Sequence, residues 1–334
     1  MFELNCDICK DDQNINGNNQ KILEDYIFDK TFNLKNKKVI IDNSLIKINM
    51  DDNIYKFKII NHIAEGSFGK IYKLYCEEFN VVLALKVERE SQDDKIEPLE
   101  KDISEFLIEN SCNLLKVKYI GKKKMEESEI NLYLMELANG DLNHLKIFYK
   151  KHCIQKNLYE TLKFYRDVAE EIRNQIVCLL KKSSYKYVYT DIKLENILYR
   201  CIQEKNKNKI RIFLGDLGSA VPDEDNEYTA TYPPWEYRNN KTQGFLNFKN
   251  SKQKENTLSW MIGIILLSFV YDDINIFVYD ELDKLTELEH NDIITLYISN
   301  IYGEIFFDYL NVNPDQRPDI NIPLPLIKRQ KRTF

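Results

Sequence analysis

The sequence predicts an α+β fold in two lobes, a small antiparallel sheet with one helix followed by a mainly helical half. Three observations carry the prediction. Between Tyr55 and Leu137 the chain repeats short runs enriched in β-branched and aromatic residues, the composition of strands. After Gly140 its apolar residues fall at helical spacing instead. Its 334 residues can bury a full core, as one large domain or as two lobes.

The elements follow in order. Residues 1–53 are rich in Asn, Asp, Lys and Ile, and the partial alternation in KKVIIDNSLIKI predicts one or two short strands in an extension to which no role is assigned. YKFKII (Tyr55–Ile60), GKIYKLY (Gly69–Tyr75) and VVLALKVE (Val81–Glu88) read as strands. A charged stretch at Ile96–Asn110 sets Leu99, Ile103, Phe106 and Leu107 at helix spacing, and LLKVKYIG and INLYLMEL add two strands. Tyr159–Lys182 carries Val168, Ile172, Ile176, Leu179 and Leu180 on one face of a predicted helix. ENILYR and IRIFLGD, separated by EKNKNK, form a predicted hairpin. The apolar run WMIGIILLSFV (Trp260–Val270) reads as a buried helix, with further helices to about Leu310 and an irregular tail from Pro323. The expected organisation is an extension at 1–53, a first lobe at 54–137, a second lobe at 138–322 and a tail at 323–334.

Composition narrows the function classes. Hydrophobic residues make up 43% and charged residues 30%, ordinary for a globular protein, and the net charge of −6 gives no global reason to expect nucleic-acid binding. The basic clusters at Lys122–Lys124 and near Lys328 have acidic neighbours and read as solvated surface. Seven scattered cysteines contain a single C-x-x-C, Cys6 and Cys9, with no second pair to complete a zinc site, so reduced thiols in a reducing compartment are expected. MFELNCDICKDDQN lacks the basic start and apolar run of a signal peptide. The Trp260–Val270 run falls short of the about 20 residues that cross a bilayer. A soluble, cytoplasmic protein is expected.

Four stretches carry candidate chemistry. In IAEGSFGKIY, Gly66 and Gly69 lie between two strands, either as a plain hairpin turn with φ freedom or as a loop whose N–H groups close over phosphates. Lys86, in VVLALKVE, points away from the face of Leu85 and Val87; it either snorkels to solvent or reaches a ligand of the glycine loop. In YVYTDIKLENILYR, Asp191, Lys193 and Asn196 offer a proton acceptor, a cation and a neutral oxygen within six residues. In FLGDLGSA, Asp216 follows a strand and precedes a glycine-permitted turn, where a carboxylate suits Mg²⁺, a hard ion that prefers oxygen.

Taken together and in this order, these pieces resemble the eukaryotic protein kinase family, whose signatures are a Gly-rich loop, a V-A-I-K strand, an H-R-D-x-K-x-x-N loop, D-F-G and A-P-E. They appear here as IAEGSFGKIY, LALK, YTDIKLEN, DLG and PPWE, with MELANGDL like the inter-lobe hinge and NPDQRP like the late Arg motif, over about residues 56–320. The resemblance implies the two-lobed kinase fold, ATP and Mg²⁺ as cofactors, and protein substrates carrying Ser or Thr. It implies that Asp191 accepts or orients the substrate hydroxyl, that Lys193 neutralises the transferring phosphoryl, and that Asn196 and Asp216 hold the metal. Lys86 would meet the α- and β-phosphates. The remaining nucleotide contacts would come from Ile63, Gly66, Ser67, Gly69, Ile71, Ala84, Met135, Glu136, the Ala138 backbone and, at the ribose, Asp141. Lys86 needs an acidic partner, and Glu100, Asp102 and Glu105 compete; Glu100 is favoured because the stretch before it resembles casein kinase I and the vaccinia-related kinases in length.

The sequence also departs from the family pattern. The first loop glycine is Ala64, and His-Arg before the catalytic Asp becomes Tyr189-Thr190, which removes the arginine that pairs with an activating phosphate. Leu217 replaces the D-F-G phenylalanine, and Leu258 stands where the large apolar helix should begin with Asp, with Asn256 as a substitute. Glu236 is expected to pair with Arg317, and Thr229 and Thr231 either line the substrate-facing loop or are phosphorylated. An active Ser/Thr kinase is the leading reading, with a nucleotide-binding pseudokinase scaffold as the alternative. The Asn, Ile, Lys and Tyr bias looks like a kinase of a large DNA virus or an AT-rich protist.

Overall fold

In a computed structural model of the chain, the structure describes residues 2–3, 8, 39–42, 45–50, 53–66, 69–89, 112, 114–125, 128–152, 158–204, 207–222, 228–237, 245–246, 248–271, 274, 286–287, 289–292 and 308–327. Two compact units emerge. A sheet unit comprises Glu3–Asn139 with Arg200–Ile210, and a helix-containing unit comprises Met1–Phe2, Gly140–Tyr199 and Arg211–Phe334.

After a two-residue strand, β1 (Phe2–Glu3), the sheet unit is built from β2 (Val39–Asp42), β3 (Leu45–Met50), β4 (Asn53–Glu65), β5 (Gly69–Cys76), β6 (Val81–Arg89), β7 (Val117–Met125) and β8 (Ser128–Met135). They form one antiparallel sheet in the order β2-β3-β4-β5-β6-β8-β7, curled so that β2 lies against β7. The period-2 pattern explains the core: Ile46, Ile48, Tyr55, Phe57, Leu74, Leu83, Leu85, Leu132 and Leu134 all point to one face and are buried. Burial of each such side chain contributes about 1.5–3 kcal/mol. The strands foreseen in KKVIIDNSLIKI are therefore full members of this sheet, with Lys47 opposite Lys56 and Ile46 opposite Phe57. Gly121, at φ +135°, takes up a bulge in β7 that a side chain would resist.

The second unit contains β9 (Gly140–Asp141), α1 (Leu142–His152), α2 (Leu158–Lys182), β10 (Tyr187–Tyr189), β11 (Ile197–Glu204), β12 (Lys207–Leu214), β13 (Ala220–Pro222), β14 (Tyr228–Thr229), β15 (Phe245–Leu246) and α3 (Ser251–Val270), with the tip of the β11–β12 hairpin belonging to the sheet unit. Val168, Ile172, Ile176, Leu179 and Leu180 bury one face of α2 as the spacing predicts. Gln175 pins β12 to that helix, its amide donating to the Ile212 carbonyl at 2.7 Å and accepting from the Leu214 N–H at 3.0 Å. The apolar helix starts earlier than its apolar run, because the Asn250 side chain accepts from the Gln253 N–H and caps two polar turns ahead of Trp260. At its other end the buried Lys146 ammonium donates to the carbonyls of Ser268 and Tyr271, where a cation complements the helix dipole. No helix among the described residues is long and apolar enough to cross a membrane.

The helix expected at Ile96–Asn110, and most of those expected between Val270 and Leu310, lie outside the described residues. One expectation is corrected. Cys112, Cys178 and Cys201 are disulfide-bonded, so the cysteines are not all reduced thiols; bridging depends on proximity in space, which spacing along the chain does not reveal. Cys76 is a buried free thiol, and burial raises its pKa.

Candidate active site

The loop after β10 gathers the polar trio. Ile192 and Leu194 are buried and anchor it, which leaves the alternate side chains to converge on Asp191. Lys193 Nζ donates to Asp191 Oδ2 at 2.7 Å, and Asn196 Nδ2 donates to the same oxygen at 2.8 Å and to the Asp191 carbonyl at 3.0 Å. Thr231 Oγ donates to the other carboxylate oxygen, Oδ1, at 2.6 Å. One carboxylate is thus oriented by three donors from two chain segments. Such a group can accept a proton from a hydroxyl brought against it, beside an ammonium able to meet an anion.

Asp216 arrives at this loop through the backbone. The Gly215 N–H donates to the Asn196 carbonyl at 2.7 Å, and Tyr189 Oη donates to the Gly215 carbonyl at 2.5 Å. A Cβ at position 215 would lie 3.0 Å from the Asn196 carbonyl oxygen and 2.9 Å from Leu198, so only glycine allows this approach. Asp216 itself sits at φ +42°, a left-handed conformation, just before the one-turn helix Leu217–Ser219. Leu217 is fully buried. Among the described residues no group of three or more His, Cys, Asp or Glu side chains gathers to hold a metal.

The sheet unit brings together another part of the predicted set. Ile71 faces Lys86 across β5 and β6, and Ala84 faces Met135 across β6 and β8, so these four share one sheet face. Lys86 is 7% exposed, and its Nζ lies 3.3 Å from Glu88 Oε1, so it does not snorkel into solvent. Ser67 and Glu100, with the competing Asp102 and Glu105, lie outside the described residues. Gly66 and Gly69 close the turn with reciprocal backbone bonds of 2.9 and 3.4 Å. Gly66 does not adopt a left-handed φ. Gly69 is required for space instead, since its Cβ would fall 2.2 Å from the Val87 carbonyl oxygen, whereas Gly66 has nothing within 4 Å. Ile63 is exposed.

Two predicted nucleotide residues have structural tasks of their own. The buried Glu136 carboxylate accepts from the Lys116 N–H at 2.9 Å and lies 3.4 Å from Arg200, while the Glu136 N–H donates to the Lys116 carbonyl at 3.0 Å. Asp141 Oδ1 accepts from the His144 N–H at 2.8 Å and caps α1, with Oδ2 outside that bond.

Glu236 and Arg317 pair as expected, through two bonds of 2.8 and 2.6 Å. Arg317 also donates to the carbonyls of Asn311 and Asn256 and stacks over Trp260, a cation–π contact. The Asn256 side chain reaches Asp315 at 3.5 Å, so the substitute expected for the missing helix Asp is directed to Asp315. The contacts that sequence reasoning missed are those of Thr231 with Asp191 and of Tyr189 with Gly215. The sole signal for the second was a tyrosine standing where the kinase pattern it resembles has histidine.

No protein-family model matches the chain. Over 191 residues it is 25% identical to the human Dual specificity tyrosine-phosphorylation-regulated kinase 4, an alignment that takes in 55% of this chain. The similarity is to a protein kinase. The chain spans 33% of that relative's length, and the curled antiparallel sheet is compatible with the smaller lobe of a kinase.

Proposed function

We propose that this chain is a Ser/Thr protein kinase that transfers the γ-phosphoryl group of ATP to protein hydroxyls with Mg²⁺. The observation that carries the reading is the Asp191 carboxylate, held by Lys193 and Asn196 on one oxygen and by Thr231 on the other. In this reading a substrate hydroxyl donates to Asp191 and is aimed by it. The hydroxyl oxygen bonds to the γ-phosphorus, the bond to the β–γ bridging oxygen breaks, ADP departs with that electron pair, and the hydroxyl proton passes to Asp191. Lys193 meets the negative charge of the transferring group, and Lys86 meets the α- and β-phosphates.

The donor set fits Mg²⁺. Asn196 spends its amide nitrogen on Asp191, which leaves its amide oxygen, and Asp216 supplies a carboxylate; Mg²⁺ is commonly held by one or two such groups together with substrate phosphates. Bound there, the ion would neutralise phosphate charge. Adenine is assigned to the surface of Ile63, Ile71, Ala84 and Met135 with the backbone of Glu136 to Ala138, the ribose to Asp141, and the phosphates to the Gly66–Gly69 turn including Ser67. Glu100 is proposed as a second acidic partner for Lys86. Ser/Thr preference, and kinship with casein kinase I and the vaccinia-related kinases, belong to the same proposal.

Incubation with Mg²⁺, labelled ATP and generic protein substrates tests the reading. Label should appear on Ser or Thr and fall by about 10²-fold or more in Asp191→Asn, the scale of general-base catalysis. A second reading, a nucleotide-binding scaffold, is favoured by Ala64, Thr190 and Leu258, each a departure from the catalytic pattern. Thermal stabilisation by ATP and Mg²⁺ without transfer would select it.

A further inference from the structure

The helix residue that supports the catalytic loop in kinases is absent here, with Leu258 at its place and Asn256 directed to Asp315. The turn that feeds the loop is also strained. Ser184 and Tyr185, between α2 and β10, have φ of +51° and +67°, consecutive left-handed residues that both carry side chains. A strained turn persists where its surroundings over-determine it, and the first turn of α3 does so. Lys254, 2% exposed, donates from Nζ to the Tyr185 carbonyl at 2.9 Å. Glu255 accepts from Tyr185 Oη at 2.9 Å and from Asn321 Nδ2 at 3.1 Å. The Tyr185 N–H bonds back to the Leu180 carbonyl at 2.7 Å, and Ser183 Oγ accepts from the Tyr187 N–H at 3.1 Å, where β10 begins. The hydrogen bond to Glu255 also raises the Tyr185 pKa. Two residues further on, β10 ends at Tyr189, whose hydroxyl holds Gly215, and Asp191 follows.

We propose that Lys254 and Glu255 are positioning residues for the Asp191 loop: they clamp the strained Ser184–Tyr185 turn from α3 and so fix where β10 delivers Asp191. Neither is among the residues assigned above to nucleotide, metal or substrate. The clamp uses side chains four and three positions ahead of Leu258, so it grips the chain upstream of the loop. The catalytic consequence rests on the kinase reading, while the mechanical one does not.

The test compares the full chain with Lys254→Met, with Ser184→Gly, and with both changes together. Glycine at 184 relieves part of the left-handed strain and should reduce the need for the clamp. In Lys254→Met, kcat should fall roughly 10- to 100-fold, the scale of a small misplacement of the catalytic group, with KM for ATP changed by less than about twofold. Ser184→Gly should recover most of that loss in the double variant. Amide exchange in Lys254→Met should accelerate across Tyr187–Asp191 and remain unchanged in the sheet unit. Wild-type kcat in a folded Lys254→Met would overturn the proposal, as would a loss that glycine does not recover. If the unaltered protein transfers no phosphate, the kinase reading fails, and the exchange measurement alone decides the clamp: unchanged protection at Tyr187–Asp191 overturns it.

Discussion

At the scale of single residues, the Asp191 carboxylate divides its oxygens by sequence distance. Oδ2 takes donors from its own loop, and Oδ1 takes Thr231, forty positions away. The nearness of the three residues was legible because Asp191, Lys193 and Asn196 fall within six positions, although their bonds to one oxygen were not. The contact of Thr231 was not, since a threonine hydroxyl has no signature and its partner depends on how a distant segment returns. This gives a prediction. Thr231→Val, nearly isosteric but without the donor, should lower kcat about 10-fold, the cost of a charge-assisted bond of roughly 1.5–3 kcal/mol partly replaced by water. Thr231→Ser should keep most of the activity. Steady-state kinetics of the two variants side by side makes the check, and equal rates for Val and wild type would remove Thr231 from the site.

At the scale of elements, the strands were the most legible part. Alternation in β4, β5, β6 and β8 separates the face packed around Phe57 from the opposite face, which holds Ile71, Ala84, Lys86 and Met135 together. The two loop glycines were read alike in the sequence, yet they differ, because the constraint on Gly69 comes from Val87 on the neighbouring strand, which composition cannot show. Gly69→Ala should therefore weaken the β5–β6 pairing and lower the melting temperature of the protein by several degrees, as overpacking of about 1–3 kcal/mol does. Gly66→Ala should leave the melting temperature unchanged, since a methyl there meets nothing. Any rise it causes in KM for ATP then reports close approach of the loop backbone to phosphate, and an unchanged KM would reduce Gly66 to a plain turn residue.

At the scale of the whole molecule, Lys86 belongs to the sheet unit, and Asp191, Asn196 and Asp216 belong to the helix-containing unit. The order of the kinase-like motifs made the sequence of these stretches legible, because each motif carries its own local pattern. The share of residues 39–50 was less so. Short strands of Val and Ile were visible, but not that Ile46 and Ile48 would be wholly buried in the same core as Phe57. Joining a distant β2 to the β7 side of the sheet is a closure property, and no single stretch of sequence encodes it.

That closure bears on how the protein behaves when cut. A chain trimmed to residues 54–322, the span the motifs invite, loses β2 and β3 and leaves residues 54–58 of β4, the part that β3 covers, with an unpaired row of backbone donors and acceptors continuous with residues 59–65 beyond β3. Such an edge, bearing Ile54, Ile59, Ile60 and Ile63 and no proline, is a template on which further copies can add strand by strand. The trimmed chain should leave a sizing column as heavy, polydisperse material while the full chain elutes as a single sharp species. The opening segment would then guard against self-association, a duty separate from any part in phosphate chemistry.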